Sequence, residues 1–258
     1  MSESIFIKSA KEIERMRVAG RLTAQARSLA RAGIRDGVTT KEIDREVRRF
    51  ILKNGGTPTF YKYGGFPGNL CISVNDELIH GIPGPRVIRD GDIVSVDVGA
   101  TIDGFTGDCA GTYPCGTVSA DALHLIEVTR QSFFEALKAA KAGNRISDIG
   151  GAVQDYVESF GFGIVRDYVG HGVGRHLHEA PEVPNYRPDR HERRGDPRLI
   201  PGMCIAIEPM VTQGDWHVRT LDNDWTVVTV DGSLTAHYEN TIVITDGEPE
   251  ILTMADDI

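Results

Sequence analysis

Asp103-Gly104 is the strongest constraint on how this chain can fold. The two residues interrupt the apolar alternation of IVSVDV within DVGATIDGFTGD, and an Asp-Gly pair flanked by such alternation specifies the primed turn of a tight hairpin. With those residues as the loop, Ile102 pairs with Phe105, Gly99 with Asp108 and Asp97 with Ala110. Paired residues share a face and side chains alternate, so Asp97 and Asp108 become diagonal neighbours, roughly 7–8 Å apart at the backbone. Two carboxylates at that spacing can share a metal centre. Taken alone, they also fit a solvated hairpin with ordinary surface aspartates.

Three more residues extend the pattern. Glu208 ends the apolar run in PGMCIAIEPM, and Glu239 opens another in HYENTIVIT. Carboxylates buried on such strands are costly unless paired or metal-bound. His171 lies in GHGVGRHLHEAP, where Gly170, Gly172 and Gly174 let the backbone approach closely. Four carboxylates with one imidazole suit a hard or borderline divalent ion such as Mn, Fe, Co or Zn, and two-metal hydrolases use this mixture. Cys71, Cys109, Cys115 and Cys204 show neither paired metal spacing nor a dense disulfide pattern. A thiolate zinc site is not indicated, and a reducing compartment is expected.

Periodicity predicts a helix over residues 9–33, with Ile13, Met16, Ala19, Leu22 and Leu29 on its apolar face. A second begins after Thr39-Thr40, a capping pair, and stops at the glycines after KEIDREVRRFILKN. Residues 121–142 and 147–160 predict another pair, the latter capped by Ser147. Each pair precedes an apolar strand that ends in an acid six residues after a glycine, Gly91 to Asp97 and Gly202 to Glu208. We read one catalytic domain over residues 1–258, built from related halves at roughly 9–115 and 121–250 whose strands converge on one site. At 258 residues the chain has ample material for a core.

With these residues in order, the chain resembles the bacterial-type methionine aminopeptidases of the shorter class, type I. The resemblance runs through KEIERMRVAGRL, CISVNDELIHGIPG, GDIVSVDVG, GDCAGTY, GHGVGRHLHEAP, CIAIEPM and YENTIVIT, essentially the whole chain. It implies an α/β (α+β) pita-bread fold, two pseudo-symmetric halves with a curved antiparallel sheet covered by helices. It implies removal of the initiator methionine from nascent proteins, with a small second residue preferred. Two divalent ions are implied, with Asp97 on one, Asp108 and Glu239 bridging, and His171 with Glu208 completing the second. Glu208 doubles as the proton carrier. His178 matches the position that hydrogen-bonds the scissile amide, and His80 the one near the next backbone nitrogen. Tyr63, Phe66, Cys71 and Trp225, with Leu177 alongside, are the implied lining of the methionine pocket, where aromatic and sulfur-containing walls suit a flexible thioether. The motif does not require His176, which stays a loop histidine. N-terminal peptides of nascent proteins are the implied partners, with transient ribosome association and a monomeric state.

Three departures stand out. Asn240 follows Glu239 where many relatives have histidine, Leu177 stands where some carry an aromatic residue, and the charged segment YRPDRHERRGDPR, residues 186–198, reads as a longer solvated loop. A net charge of -9 argues against a phosphate-binding nucleic-acid surface. No stretch approaches the roughly 20 apolar residues of a membrane span, and MSESIFIKSAKEIERMR lacks a signal-peptide core, so the cytoplasm is the expected location. A Xaa-Pro peptidase of the same fold would share the five ligands, but such relatives carry an additional N-terminal domain, whereas here the helices of the catalytic unit begin almost at once. A non-catalytic peptide-binding module would be expected to lose ligands, and all five are present with both substrate histidines.

Overall fold

In the computed structural model, which describes residues 4–189 and 196–254, Asp103 and Gly104 both take positive φ, 50° and 75°. This is the conformation that a primed turn demands. The strands Ile93–Ile102 and Phe105–Pro114 pair in the expected register, Ile102 with Phe105, Gly99 with Asp108 and Asp97 with Ala110. Phe105 is fully buried against Met16 and Ala19. A one-residue slip would turn it outward and forfeit roughly 1.5–3 kcal/mol of apolar burial, so packing enforces what the turn proposes.

Four α-helices are described: α1 (Ala10–Gly33), α2 (Thr40–Lys53), α3 (Ala120–Ala139) and α4 (Ile146–Glu158). Thr39 caps α2, its hydroxyl accepting from the Glu42 amide at 3.3 Å while the Glu42 carboxylate accepts from the Thr39 amide at 2.8 Å. Two helix expectations need correction. Leu29 of α1 is 37% exposed, and Arg27 is buried in its place at 3%. The helix turns Ala26, Arg27 and Ala30 inward, and the guanidinium reaches strand carbonyls that a leucine could not satisfy. Ser147 is not the cap of α4 but lies inside its first turn. Asp196, from the far end of the charged segment, accepts from both the Ser147 amide (3.1 Å) and its hydroxyl (2.7 Å), so the free amides of this helix end are satisfied from a distance.

Every strand pairing among the described residues is antiparallel. The long hairpin joins Cys71–Val74 and Thr57–Pro58 in one sheet, over which α1 and α2 pack around Leu22, Val47, Ile72 and Val96. A five-stranded sheet contains Gly170–Gly172, Glu179–Val183, Cys204–Ile207, Asn240–Val243 and Glu250–Ile251. There α3 and α4 contribute Leu125, Phe133 and Ile149 to a second core with Ile205 and Ile242.

The hairpin and the later strands are stitched along a seam. Ala110 and Glu239 exchange both backbone hydrogen bonds, at 3.2 and 3.1 Å. On one side of them the Asp108 amide donates to the Thr241 hydroxyl at 3.1 Å, and on the other the His237 amide donates to the Thr112 hydroxyl at 2.8 Å. Within the segment read as a solvated loop, residues 190–195 lie outside the described residues. Its flanks are tied down, Arg187 making a two-point ion pair with Asp155 of α4 and Asp196 capping that helix.

Candidate metal centre

The strand registers decide which side chains meet. Asp97 pairs with Ala110, and Ala110 pairs with Glu239 across the seam. Directly opposed residues share a face, so Asp97 and Glu239 flank the small Ala110 on one surface. Asp108, two residues before Ala110, points the same way. Continuing the Asn240–Ile207 pairing by one residue sets Glu208 opposite Glu239. His171 arrives on the short strand Gly170–Gly172, which can lie this close only because its neighbours lack side chains. A Cβ at Gly172 would stand 2.3 Å from the Ala180 carbonyl oxygen, and one at Gly170 2.4 Å from that of Ala206.

All five candidate ligands line one cavity of about 290 Å³. Asp108, His171 and Glu239 each offer a donor atom within 4.8 Å of the others. His171 Nε2 is 3.5 Å from Glu208 Oε1 and 3.7 Å from Asp108 Oδ2, and Asp97 lines the same cavity beside them. The His171 Nδ1 stands 2.8 Å from the Gly172 carbonyl. A carbonyl only accepts, so Nδ1 carries the hydrogen and Nε2 presents its lone pair to the carboxylates. Burial, reinforced by neighbouring His178, depresses the His171 pKa to about 3 and keeps the ring neutral.

Four carboxylates in so small a volume conflict with one another. Burial raises Asp97 to about 7, and burial together with the neighbouring acids holds Asp108, Glu208 and Glu239 well above the carboxylate range. Asp97 Oδ1, Asp108 Oδ1 and Glu239 Oε1 are buried without any hydrogen-bond partner. Orphaned carboxyl oxygens facing one imidazole lone pair are the donor set of a hard or borderline divalent cation, and such an ion would resolve the repulsion. The residues present therefore fit divalent metals.

The implied substrate residues line the same cavity. Phe66, Cys71 and Leu177 form an apolar cluster with Phe60, and Trp225 packs against it, its ring 5.1 Å from that of Phe66 in an edge-on contact. Cys71 pairs with Asp97 in the adjacent strand, which fixes this wall beside the carboxylates. At the mouth, the Tyr63 hydroxyl is 2.7 Å from His178 Nδ1, and the His178 ring lies 4.2 Å from that of His171. His80 sits at a left-handed φ of 57°, its ring edge-on to Tyr168 and Trp225. Burial, then His178, lowers its pKa to about 4. His176 does not line the cavity and is exposed.

Sequence reasoning missed three participants. Tyr168 lines the cavity and carried no motif. His237, almost fully buried, directs an unpartnered Nε2 at Glu208 Oε2 (3.8 Å) and Glu239 Oε2 (4.0 Å). Its position two residues before Glu239 was the available signal, because alternation puts both on one face. Arg27 had none. Its Nη1 donates to the carbonyls of Ala110 and Glu239 and to Asn240 Oδ1, so Asn240 turns away from the metal centre toward α1.

Metallopeptidase family M24 matches residues 14–246. The chain is 52% identical, over 98% of its length, to a methionine aminopeptidase of Clostridium acetobutylicum, which it covers completely. A crystal structure of methionine aminopeptidase from Thermotoga maritima superposes with a TM-score of 0.94 at 45% identity, covering 98% of this chain and 100% of that one. The prolidase from Pyrococcus furiosus, 24% identical with a TM-score of 0.77 over 97% of this chain and 66% of its own, shares the fold alone.

Proposed function

Because the chain belongs to metallopeptidase family M24 and has the pita-bread fold, we infer that it is a metal-dependent aminopeptidase that removes N-terminal methionine from peptides and proteins. One observation carries the reading. Asp108, His171 and Glu239 converge in the same cavity as an apolar wall of Phe66, Cys71, Leu177 and Trp225. A cation-binding end beside an apolar end suits a free amine followed by a thioether side chain. Neither a Xaa-Pro peptidase nor a non-catalytic module is favoured, since the near-full-length matches at about half identity are to methionine aminopeptidases.

In this reading Asp97, Asp108, His171, Glu208 and Glu239 hold two divalent ions. When bound, these supply Lewis acidity and acidify a water molecule in the site. The remaining chemistry belongs to the chain. Glu208 takes the proton of the attacking water and returns it to the departing amine as the carbon–nitrogen bond breaks. The Tyr63 phenol, kept neutral by a pKa that burial raises, donates to His178 Nδ1, leaving the Nε2 hydrogen for the developing oxyanion. His80 holds the next backbone nitrogen of the substrate. The four aromatic and sulfur-bearing residues, Tyr63, Phe66, Cys71 and Trp225, enclose the methionine side chain.

The preference for a small second residue, the monomeric state, the cytoplasmic location and transient contact with the ribosome belong to the same proposal. So does descent from a duplicated half, which the positive φ of both Gly91 (93°) and Gly202 (92°), each six residues before an acid of the site, supports.

The test is methionine release from Met-Ala-Ser by metal-stripped protein with Mn, Co, Fe or Zn restored, beside a Xaa-Pro peptide. Metal-dependent release from the first peptide alone is expected. Folded protein that releases nothing with any ion would overturn the reading.

A further inference from the structure

A second cavity, also of about 290 Å³, is lined by Arg27 and Arg31 of α1, Arg130 of α3, and Tyr113 and Tyr238 from either side of the seam. No Asp or Glu contributes to its lining, although acidic residues outnumber basic ones 37 to 28 in the chain. Three guanidinium groups are thus gathered where the overall charge would disperse them.

Direct carboxylate contacts to these guanidinium groups are sparse. Arg27 is 3% exposed, yet its hydrogen bonds go only to neutral acceptors, the carbonyls of Ala110, Glu239 and Thr253 and the Asn240 amide oxygen. The Arg31 guanidinium lies over the Tyr113 ring at 5.2 Å and has no carboxylate partner among the described residues. Arg130 has only the exposed Glu127, at 3.5 Å. Independently, the hydroxyl of Tyr238, itself 8% exposed, is buried without a hydrogen-bond partner. Planar guanidinium forks around one space free of carboxylates match a tetrahedral oxyanion. The volume falls at the lower limit of small-molecule sites, which span about 300–1,000 Å³, so the occupant is small.

We propose that this cavity is an anion site that takes a phosphate group, either as the free ion or as the head of a small phosphomonoester. Arg27 also anchors the backbone of Glu239, so the occupant would sit one side chain away from the metal centre.

Thermal unfolding of the metal-loaded protein tests this, with inorganic phosphate titrated against chloride at constant ionic strength. The expected result is a saturable rise in Tm over chloride. That rise is lost in Arg31→Ala/Arg130→Ala, whose methionine release in phosphate-free buffer stays within about twofold of wild type. Arg31→Ala alone, which removes one exposed guanidinium of the lining, raises the phosphate midpoint about fivefold, the worth of one hydrogen bond. Adenosine monophosphate separates the sources: action at lower concentration than phosphate assigns a phosphomonoester, and weaker or equal action assigns the free ion. No rise in wild type, or the same rise in the double arginine variant, overturns the proposal. Should the double variant not fold, an unchanged midpoint in Arg31→Ala overturns it.

Discussion

Arg27 Nη1 donates to the backbone carbonyl of Glu239 across 3.1 Å, tying the first long helix to the residue that brings a carboxylate into the metal centre. That carbonyl also accepts from the Ala110 amide and is not stranded by truncating the arginine, but the change removes a donor to the Thr253 carbonyl and a buried cation beside a buried acid. Arg27→Met should lower unfolding stability by about 1–3 kcal/mol and weaken metal binding by about tenfold, the usual order for residues that orient ligands from behind. Urea unfolding and metal-dissociation measurements check the two effects separately.

The metal-free protein should lose stability as pH rises above about 7.5. Carboxylates with raised pKa hold protons in the folded state that the unfolded chain has already released, so stability falls with pH between the two values. For Asp97, raised by burial to about 7, that window spans roughly pH 4 to 7, and for Asp108, Glu208 and Glu239 it extends higher. His171 and His237, both held by burial near 3, act in the opposite sense, but the unfolded chain has shed nearly all its histidine protons by about pH 7.5, a unit above the usual value of about 6.5. Tm measured from about pH 7.5 to 9 should therefore drop in EDTA, and metal should stabilise the protein more at the alkaline end. A flat profile in EDTA would mean that the acids have another counter-charge.

Glu208→Gln separates chemistry from stability. Loss of the proton carrier should reduce methionine release by about 10²–10⁴-fold. The same change deletes one of four mutually repelling acids, so the metal-free variant should unfold at a higher temperature than wild type at pH 8. Activity assay and calorimetry on one preparation give both numbers, and a lower metal-free Tm would contradict the repulsion described.

Tyr63→Phe removes the hydroxyl 2.7 Å from His178 Nδ1 without altering the aromatic wall. The histidine is then free to place its hydrogen on either nitrogen, and kcat should fall about tenfold with KM little changed, because the lost interaction serves the transition state. A rise in KM alone would move Tyr63 from orienting His178 to gripping the substrate.

Local structure was the most legible part of this chain. The Asp103-Gly104 turn specified the hairpin register residue by residue, and Thr39 announced the start of α2, because both are decided by neighbours in sequence. What joins residues far apart was silent. No pattern indicates that Ala110 pairs with Glu239, 129 positions on, and that pairing is what brings Asp97 and Glu239 to one surface. Arg27 on a helix reads as solvated until strand carbonyls are found beneath it. Ser147 looked like a cap because Ser commonly is one, while the carboxylate that caps its helix comes from Asp196. The candidate ligands could be named early since acids ending apolar runs are conspicuous, whereas His237 offered only its spacing from Glu239.

The donor set is divided by the seam, with Asp97 and Asp108 on the hairpin side and His171, Glu208 and Glu239 on the other. A chain cut between Thr117 and Ser119, in the connection before α3, would give two fragments of which neither holds a complete centre. Catalysis would then return only when the pieces reassemble, making the enzyme its own reporter of fragment complementation.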